Sequence, residues 1–325
     1  AKLNFPVANR NILINGDMRV CQRPTSTTSI NAYIVDRWRS FGGPLGVTFS
    51  QVSDATNYPQ SQKALRVHRT AGNSQTNNIG VGQGVETINS KPCAGKTVVL
   101  SFKARRGANF SGSSNLLEVG INGGEGTNEN PFGMTNTNGA SSSFTLTESV
   151  QTFNLTYAVP TDKTQLTVLF KYTPSGTAGA NDWFEITECQ LEIGSTPTDY
   201  EFLSYGDTLA KCQRYFLQSG KKADGTTPAY SSHALSTIFS STQFDMLIDL
   251  PVEMRAVPSV TFSNIALHIG AGAGTAITAF GDTGCNNMRL MFRGTAASHG
   301  MSVGQCAIVM GNNNTSNYIH YNAEL

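Results

Sequence analysis

Alternation of apolar and polar side chains with a period of two runs through most of this chain and constrains its fold more than any other feature. Between Thr97 and Arg105, Val98, Leu100, Phe102 and Ala104 fall on one face, and Ser101, Lys103 and Arg105 on the other. Phe153, Leu155, Tyr157 and Val159 alternate with Thr152, Asn154 and Thr156, and Leu166, Val168, Phe170 and Tyr172 do the same with Lys171 facing out. Successive side chains of a strand point to opposite faces, so each run reads as a strand with one face on a core. The pattern resumes in the second half. Phe244, Met246, Ile248 and Leu250 share a face before Pro251, and Val260 and Phe262 follow Pro258. Met288, Leu290 and Phe292 alternate with Arg289 and Arg293. Cys306, Ile308 and Met310 form a further run, as do Ile319, Tyr321, Ala323 and Leu325. Loops rich in Gly, Asn and Ser separate the runs, at 107–114, 123–143 and 174–182. Many short strands with such turns predict an all-β fold, a sandwich or a barrel.

One helix is expected, from Tyr205 to Phe216, where Leu209, Cys212 and Phe216 share a face and Asp207 or Thr208 could cap the start. Just before it, Gly194-Ser195-Thr196-Pro197-Thr198 breaks the alternation. The chain of 325 residues suits two domains. The division expected is an N-terminal arm over 1–9, a jelly-roll antiparallel β-sandwich over 10–195, a linker and short helix over 196–216, and a C-terminal β-domain over 217–325. The stretch from Ile269 to Gly284 reads as a loop or weak strand. The 123–143 loop is long enough to be either functional or mobile.

Charged residues make up only 14% of the chain and the net charge is +1, against about 25% charged in an ordinary soluble protein. The surface is therefore covered by Ser, Thr, Asn, Gln and Gly, and it offers no field for nucleic acid or an anionic membrane. Arg105-Arg106 and Lys221-Lys222 are isolated basic pairs. Amides and hydroxyls both donate and accept hydrogen bonds, which suits neutral hydroxyl-rich ligands. No stretch approaches the roughly 20 apolar residues of a membrane helix, and the opening Ala1-Lys2-Leu3-Asn4 lacks the form of a signal peptide. The chain reads as made in a cytoplasm. Its six cysteines show no close pairing of the zinc or redox type, so free and mostly buried thiols are expected.

Signatures of catalysis are lacking. His68, His233, His268, His299 and His320 are scattered. Gly80-Val81-Gly82-Gln83-Gly84 and Gly120-Ile121-Asn122-Gly123-Gly124 precede no helical pattern, which argues against a phosphate cradle. Glu185, Glu188 and Glu192 lie close in sequence, but their spacing alternates faces in part, and structural or solvated roles outweigh a glycosidase pair. The chain is expected not to be an enzyme.

Three short motifs recur in a meaningful order: Asn11-Ile12-Leu13-Ile14-Asn15-Gly16-Asp17-Met18, Asp36-Arg37-Trp38, and Cys189-Gln190-Leu191-Glu192-Ile193-Gly194. Together they resemble the galactose-binding-like β-sandwich of carbohydrate-binding modules, in the version found in phage and prophage tail-fibre and virion proteins. The stretch from Tyr205 to Phe216, the run Leu250-Pro251-Val252-Glu253-Met254-Arg255-Ala256-Val257-Pro258 and the closing Asn322-Ala323-Glu324-Leu325 resemble the region C-terminal to that sandwich in such proteins. The resemblance implies a virion structural protein, assembled in the host cytoplasm and commonly trimeric. Its expected partners are other virion proteins and a host cell-surface glycan. The expected role is a tail-fibre-like adsorption appendage, with a capsid-decoration, head-fibre or tail-architecture subunit as the alternative. A sugar-binding surface would use an aromatic platform. Trp183 and Tyr172 are the candidates, with Tyr58, Tyr230 and Tyr318 behind them, while Trp38, between Arg37 and Arg39, reads as core. Some modules of this shape hold a structural calcium, for which Asp17, Asp182 and Glu185 are the candidate ligands against a reading as solvated loop acids.

Overall fold

The computed structural model describes residues 9–42, 46–221, 226–269 and 274–325. The expected arm therefore lies outside the described residues apart from Asn9. The chain divides into two compact units, the first reaching Thr208 and the second running from Leu209 to Glu324. Both are built almost wholly from antiparallel strands, as the alternation predicts.

The first unit contains β1 (Ser26–Thr27), β2 (Arg39–Gly42), β3 (Val47–Ser53), β4 (Lys63–Arg69), β5 (Ile79–Val85), the one-turn α1 (Thr87–Ser90), β6 (Thr97–Arg106), β7 (Leu116–Gly124), β8 (Asn138–Thr145), β9 (Gln151–Ala158), β10 (Gln165–Tyr172) and β11 (Trp183–Ile193). They form a six-stranded sheet in the order β1-β3-β4-β11-β6-β9 and a five-stranded sheet in the order β2-β5-β10-β7-β8. The inward residues Val98, Leu100, Phe102 and Ala104 of β6 and Leu166, Val168, Phe170 and Tyr172 of β10 are nearly or fully buried and share one core. Phe102 meets Phe170 edge-on at 5.0 Å across the sandwich, and Trp38 packs on the same ring at 6.0 Å. Each such side chain contributes roughly 1.5–3 kcal/mol by burial.

The motifs near the start of the chain are the lock of this sandwich. Asn15 adopts φ 57 and its side chain bonds the backbone of Val20 and Asp36. A Cβ at Gly16 would come within 2.0 Å of the Cys189 carbonyl oxygen, so only glycine lets this turn approach β11. Trp38 donates its indole N–H to the Asn15 carbonyl at 3.0 Å, and Arg37 reaches the Gly84 carbonyl at 2.7 Å. Asp36 accepts hydrogen bonds from Gln22 and Arg23.

The second unit contains most of α2 (Tyr205–Gln213), then β12 (Phe216–Ser219), β13 (Ser232–Ile238), β14 (Gln243–Asp249), β15 (Ser259–Ser263), β16 (Ile265–His268), β17 (Thr275–Asp282), β18 (Arg289–Ala296), β19 (Cys306–Gly311) and β20 (Tyr318–Asn322). Strands β12-β20-β15 form a small sheet, and β13-β14-β18-β17-β16-β19 close into a barrel around Phe244, Leu290 and Val309.

Several boundaries differ from the sequence expectation. The helix stops at Gln213, and Phe216 opens a strand. Its cap is Ser204, whose Oγ accepts from the Asp207 N–H at 3.1 Å. The expected 123–143 loop is shorter, because Asn138–Thr145 is a strand whose small polar residues hide its alternation. Of the two readings of the stretch from Ile269 to Gly284, the strand holds over Thr275–Asp282, and 270–273 lie outside the described residues. No disulfide joins any of the six cysteines, and Cys93, Cys189 and Cys212 are buried. No helix among the described residues is long and apolar enough to cross a membrane.

Candidate functional site

The outer face of the five-stranded sheet is shaped by an absence of side chains. On β5, Val81 and Val85 point inward, so Gly80, Gly82 and Gly84 leave the outer face bare. A Cβ on Gly80 would lie 2.5 Å from the Phe41 ring, one on Gly82 2.9 Å from the Phe132 ring, and one on Gly84 2.7 Å from Pro131. The glycine run is thus a seat for two rings and a proline. Phe41 arrives from β2, directly opposite Gly80. Phe132 arrives from the 125–137 loop, which folds back over the sheet.

That loop is pinned along its length. The buried Gln165 side chain accepts from the Glu129 N–H and donates to the Glu129 carbonyl, both at 2.8 Å. Thr87 and Asn128 exchange two hydrogen bonds at 2.9 Å, and Lys163 donates to Glu125 at 2.8 Å. Arg39 donates to Asn130 at 2.6 Å, and its guanidinium stands 5.6 Å from the centre of the Phe132 ring. The result is a preorganised pair of half-buried rings, with centroids 4.5 Å apart, beside a groove of about 220 Å³. Asn78, Asn122, Thr137 and Lys171 also line the groove, and Lys171 is neutralised by Glu118 at 2.9 Å. An apolar platform next to amides and hydroxyls, with little net charge, is the chemistry that takes the apolar face of a pyranose and bonds its hydroxyls.

The residues singled out from the sequence lie elsewhere. Trp183 sits half-buried on the outer face of the six-stranded sheet, with Arg66 and Arg105 over its ring at 4.3 and 5.3 Å. Its ring is occupied by guanidinium groups, and Gly107 backs it. Tyr172 is only 2% exposed and packs on Phe110 and Phe184, so it is core and cannot serve as a platform. Its place is set by the same alternation that buries Phe170. Burial, with the nearby Asp182 charge, holds the Tyr172 hydroxyl proton well above its ordinary range. Tyr58 is buried as well, Tyr318 stacks on His320, and Tyr230 is exposed in the second unit.

The three acids considered for calcium are each taken by arginine. Asp182 pairs with Arg69 at 2.8 Å, both side chains fully buried, and accepts from the Ser111 N–H and hydroxyl. Glu185 accepts from Arg66, Arg105 and the Tyr58 hydroxyl, and Asp17 accepts from Arg19. Calcium needs six to eight free oxygens, and these are already bonded to cations. Among the described residues no group of three or more His, Cys, Asp or Glu could hold a metal. The described residues thus do not gather Asp17, Asp182 and Glu185 into one set of ligands. Glu192 is held by Thr198 at 2.8 Å and Glu188 by Lys103 at 2.7 Å, so Glu185, Glu188 and Glu192 each have a structural partner.

No protein-family model matches the sequence, and no curated protein matches it. Among solved structures the chain is similar to the enzymatically active domain of tailspike protein 4 of bacteriophage CBA120, at 12% identity over 57% of this chain and 22% of that one, with a TM-score of 0.38. The chain thus spans less than a quarter of that structure's length. It is also similar to a putative sugar binding protein from Bacteroides thetaiotaomicron (12% identity, 57% of this chain and 100% of that one, TM-score 0.37). A third is the C-terminal family 22 carbohydrate binding module of Clostridium thermocellum Xyn10B (15% identity, 59% and 100%, TM-score 0.36). At these identities and scores the likeness assigns this chain neither a family nor a ligand.

Phe41 and Phe132 escape a sequence reading that looks for platforms among Trp and Tyr. A signal is available nonetheless: glycine at every second position of a strand marks a face kept clear for something bulky, and Pro131-Phe132 in the long loop is the segment that fills it.

Proposed function

We propose that this chain is a non-catalytic virion protein of a bacteriophage, a tail-fibre-like adsorption appendage that binds a host cell-surface glycan through the Phe41–Phe132 groove. The groove carries the glycan part of this reading: two preorganised rings, flanked by amides, on a nearly neutral surface. The virion part rests on the ordered motifs around Asn15-Gly16-Asp17, Asp36-Arg37-Trp38 and Gln190-Leu191-Glu192 and on the run C-terminal to them. A homotrimer would multiply weak single-site affinity by avidity. The test is binding of the purified protein to host-type cells and to a glycan panel, with competition against infecting phage. Saturable binding that blocks adsorption is expected, with a loss of at least about tenfold in Phe132→Ala. Absence of binding by the intact oligomer, or unchanged binding by Phe132→Ala, would overturn it.

One observation favours a decoration or architectural subunit instead. On the outside of the barrel Ile308 pairs with Leu235, and Leu247 with Met291, on four neighbouring strands. Leu235 is 73% and Leu247 53% exposed. Such an apolar row on a soluble barrel suits contact with another protein. Cell binding that survives Leu235→Ser and Leu247→Ser, while incorporation into particles fails, would assign the row to assembly and leave the groove its ligand.

A further inference from the structure

The outer face of the six-stranded sheet carries a cleft of about 530 Å³, separate from the groove on the other sheet. Ser101 and Lys103 of β6, Asn154 of β9, Glu188 of β11 and the edge-on ring pair Tyr200–Phe202 line it. Its volume falls within the roughly 300–1,000 Å³ of small-molecule sites.

Glu188 departs from ordinary structure in three ways. It occupies the left-handed region at φ 49, which is unfavourable for a side chain of this kind. It lies in a bulge, where β11 slips against β6 between Thr187 and Gln190. Its carboxylate is nearly inaccessible, with Oε2 on Lys103 at 2.7 Å and Oε1 without a hydrogen-bond partner among the described residues. The bulge itself has a structural reason, since the next residue, Cys189, leaves the ladder to bond the Gly16 carbonyl at 3.0 Å. That contact does not account for a buried carboxylate with half its acceptor capacity unused, which is costly. Bulges re-aim side chains at binding sites, and a carboxylate turns readily about its last torsion.

We infer that this cleft is a second saccharide site, for a neutral hydroxyl-rich ligand that donates a hydroxyl to Glu188 Oε1. Lys103 cancels the carboxylate charge, so no charged ligand is called for. Asn154 and Lys103 supply donors for further hydroxyls, and the half-buried Tyr200 and exposed Phe202 offer an apolar wall to the sugar ring. The cleft's claim stands apart from the groove's, because the two share no residue.

The test is a titration of the full chain with millimolar cellotriose, maltotriose, β-1,4-galactotriose and N-acetylglucosamine, followed by side-chain amide and aromatic NMR signals. At least one probe is expected to shift Asn154, Gln60 and Phe202 in both the native chain and Phe132→Ala. Asn154→Ala, an exposed change, should weaken that binding at least about tenfold. Glu188→Gly, which relieves the left-handed conformation, should also weaken it at least about tenfold without lowering the melting temperature. Shifts confined to Phe41, Phe132 and Asn122, or none from any probe, would overturn the second site, as would native affinity in Asn154→Ala. Loss of the groove signals alone, with the cleft signals intact, would sink the groove reading and leave this one standing.

Discussion

Arg69 and Asp182 are both fully inaccessible, and their 2.8 Å ion pair is completed by Ser111 and by three backbone carbonyls that accept from the Arg69 Nη2. A buried pair of this kind adds little over an apolar pair, but breaking it strands a charge. Asp182→Ala should therefore destabilise the first unit by about 3–5 kcal/mol. The joint replacement Arg69→Met with Asp182→Leu should cost clearly less. Trp38 and Trp183 are the only tryptophans and both belong to the first unit, so the midpoint of urea unfolding followed by tryptophan fluorescence reads this effect. A double variant as damaged as the single one would show that the charge left unpaired is not the cause. The same residues explain why the acids mislead a reading of the sequence. Glu185 lies directly across from Arg66 on β4 and from Arg105 on β6. Sequence proximity gathers the acids, whereas strand pairing supplies their partners, and register is invisible until the sheet order is known.

Single strands are legible where one face is apolar and the other polar. β6, β10 and β14 fall within a residue or two of the alternating runs. β8 is lost because Asn-Gly-Ala-Ser-Ser-Ser carries no amphipathic contrast, and β5 draws no strand assignment because its outer face is all glycine. The β5 glycines make a prediction at this scale. Gly82→Ala places a Cβ 2.4 Å from the Val168 carbonyl oxygen and 2.9 Å from the Phe132 ring. Overpacking of this sort costs about 1–3 kcal/mol and should push the 125–137 loop off the sheet. The fluorescence midpoint should fall and glycan binding should weaken, with Lys163 and Gln165 left unmoved. In the second unit, His233 bridges three elements, Nδ1 to Ser219 of β12 at 2.9 Å and Nε2 to Asn317 before β20 at 3.0 Å. Burial lowers its pKa from the ordinary 6.5, against the opposing pull of the Asn317 bond. A base with a depressed pKa in the folded state binds fewer protons folded than unfolded, so stability rises with pH across that window. The second unit should therefore be at full stability above pH 6.5 and lose it as pH falls from there through the folded-state pKa. His233→Asn should flatten that slope, measured as the calorimetric transition of the second unit.

The two units have separate cores, one centred on Phe102, Phe170 and Trp38 and one on Phe244, Leu290 and Val309, with no residue in common. The sequence marks where the alternation breaks, at Gly194-Ser195-Thr196-Pro197, but it does not show that the second set of strands closes into a barrel. Closure depends on pairings such as β16 with β19, which join residues some forty positions apart and carry no local signature. Separate cores make unfolding divisible, since two-state behaviour holds for a single cooperative unit. Calorimetry of the full chain should resolve two transitions. The one that coincides with the loss of tryptophan fluorescence belongs to the sandwich, because the barrel has no tryptophan. Asp182→Ala should move that transition alone, and acidification below pH 6.5 should move the other through His233. A single transition that shifts as a whole under both perturbations would mean that the cores unfold together, and the groove and barrel row would then have to be read as parts of one cooperative body.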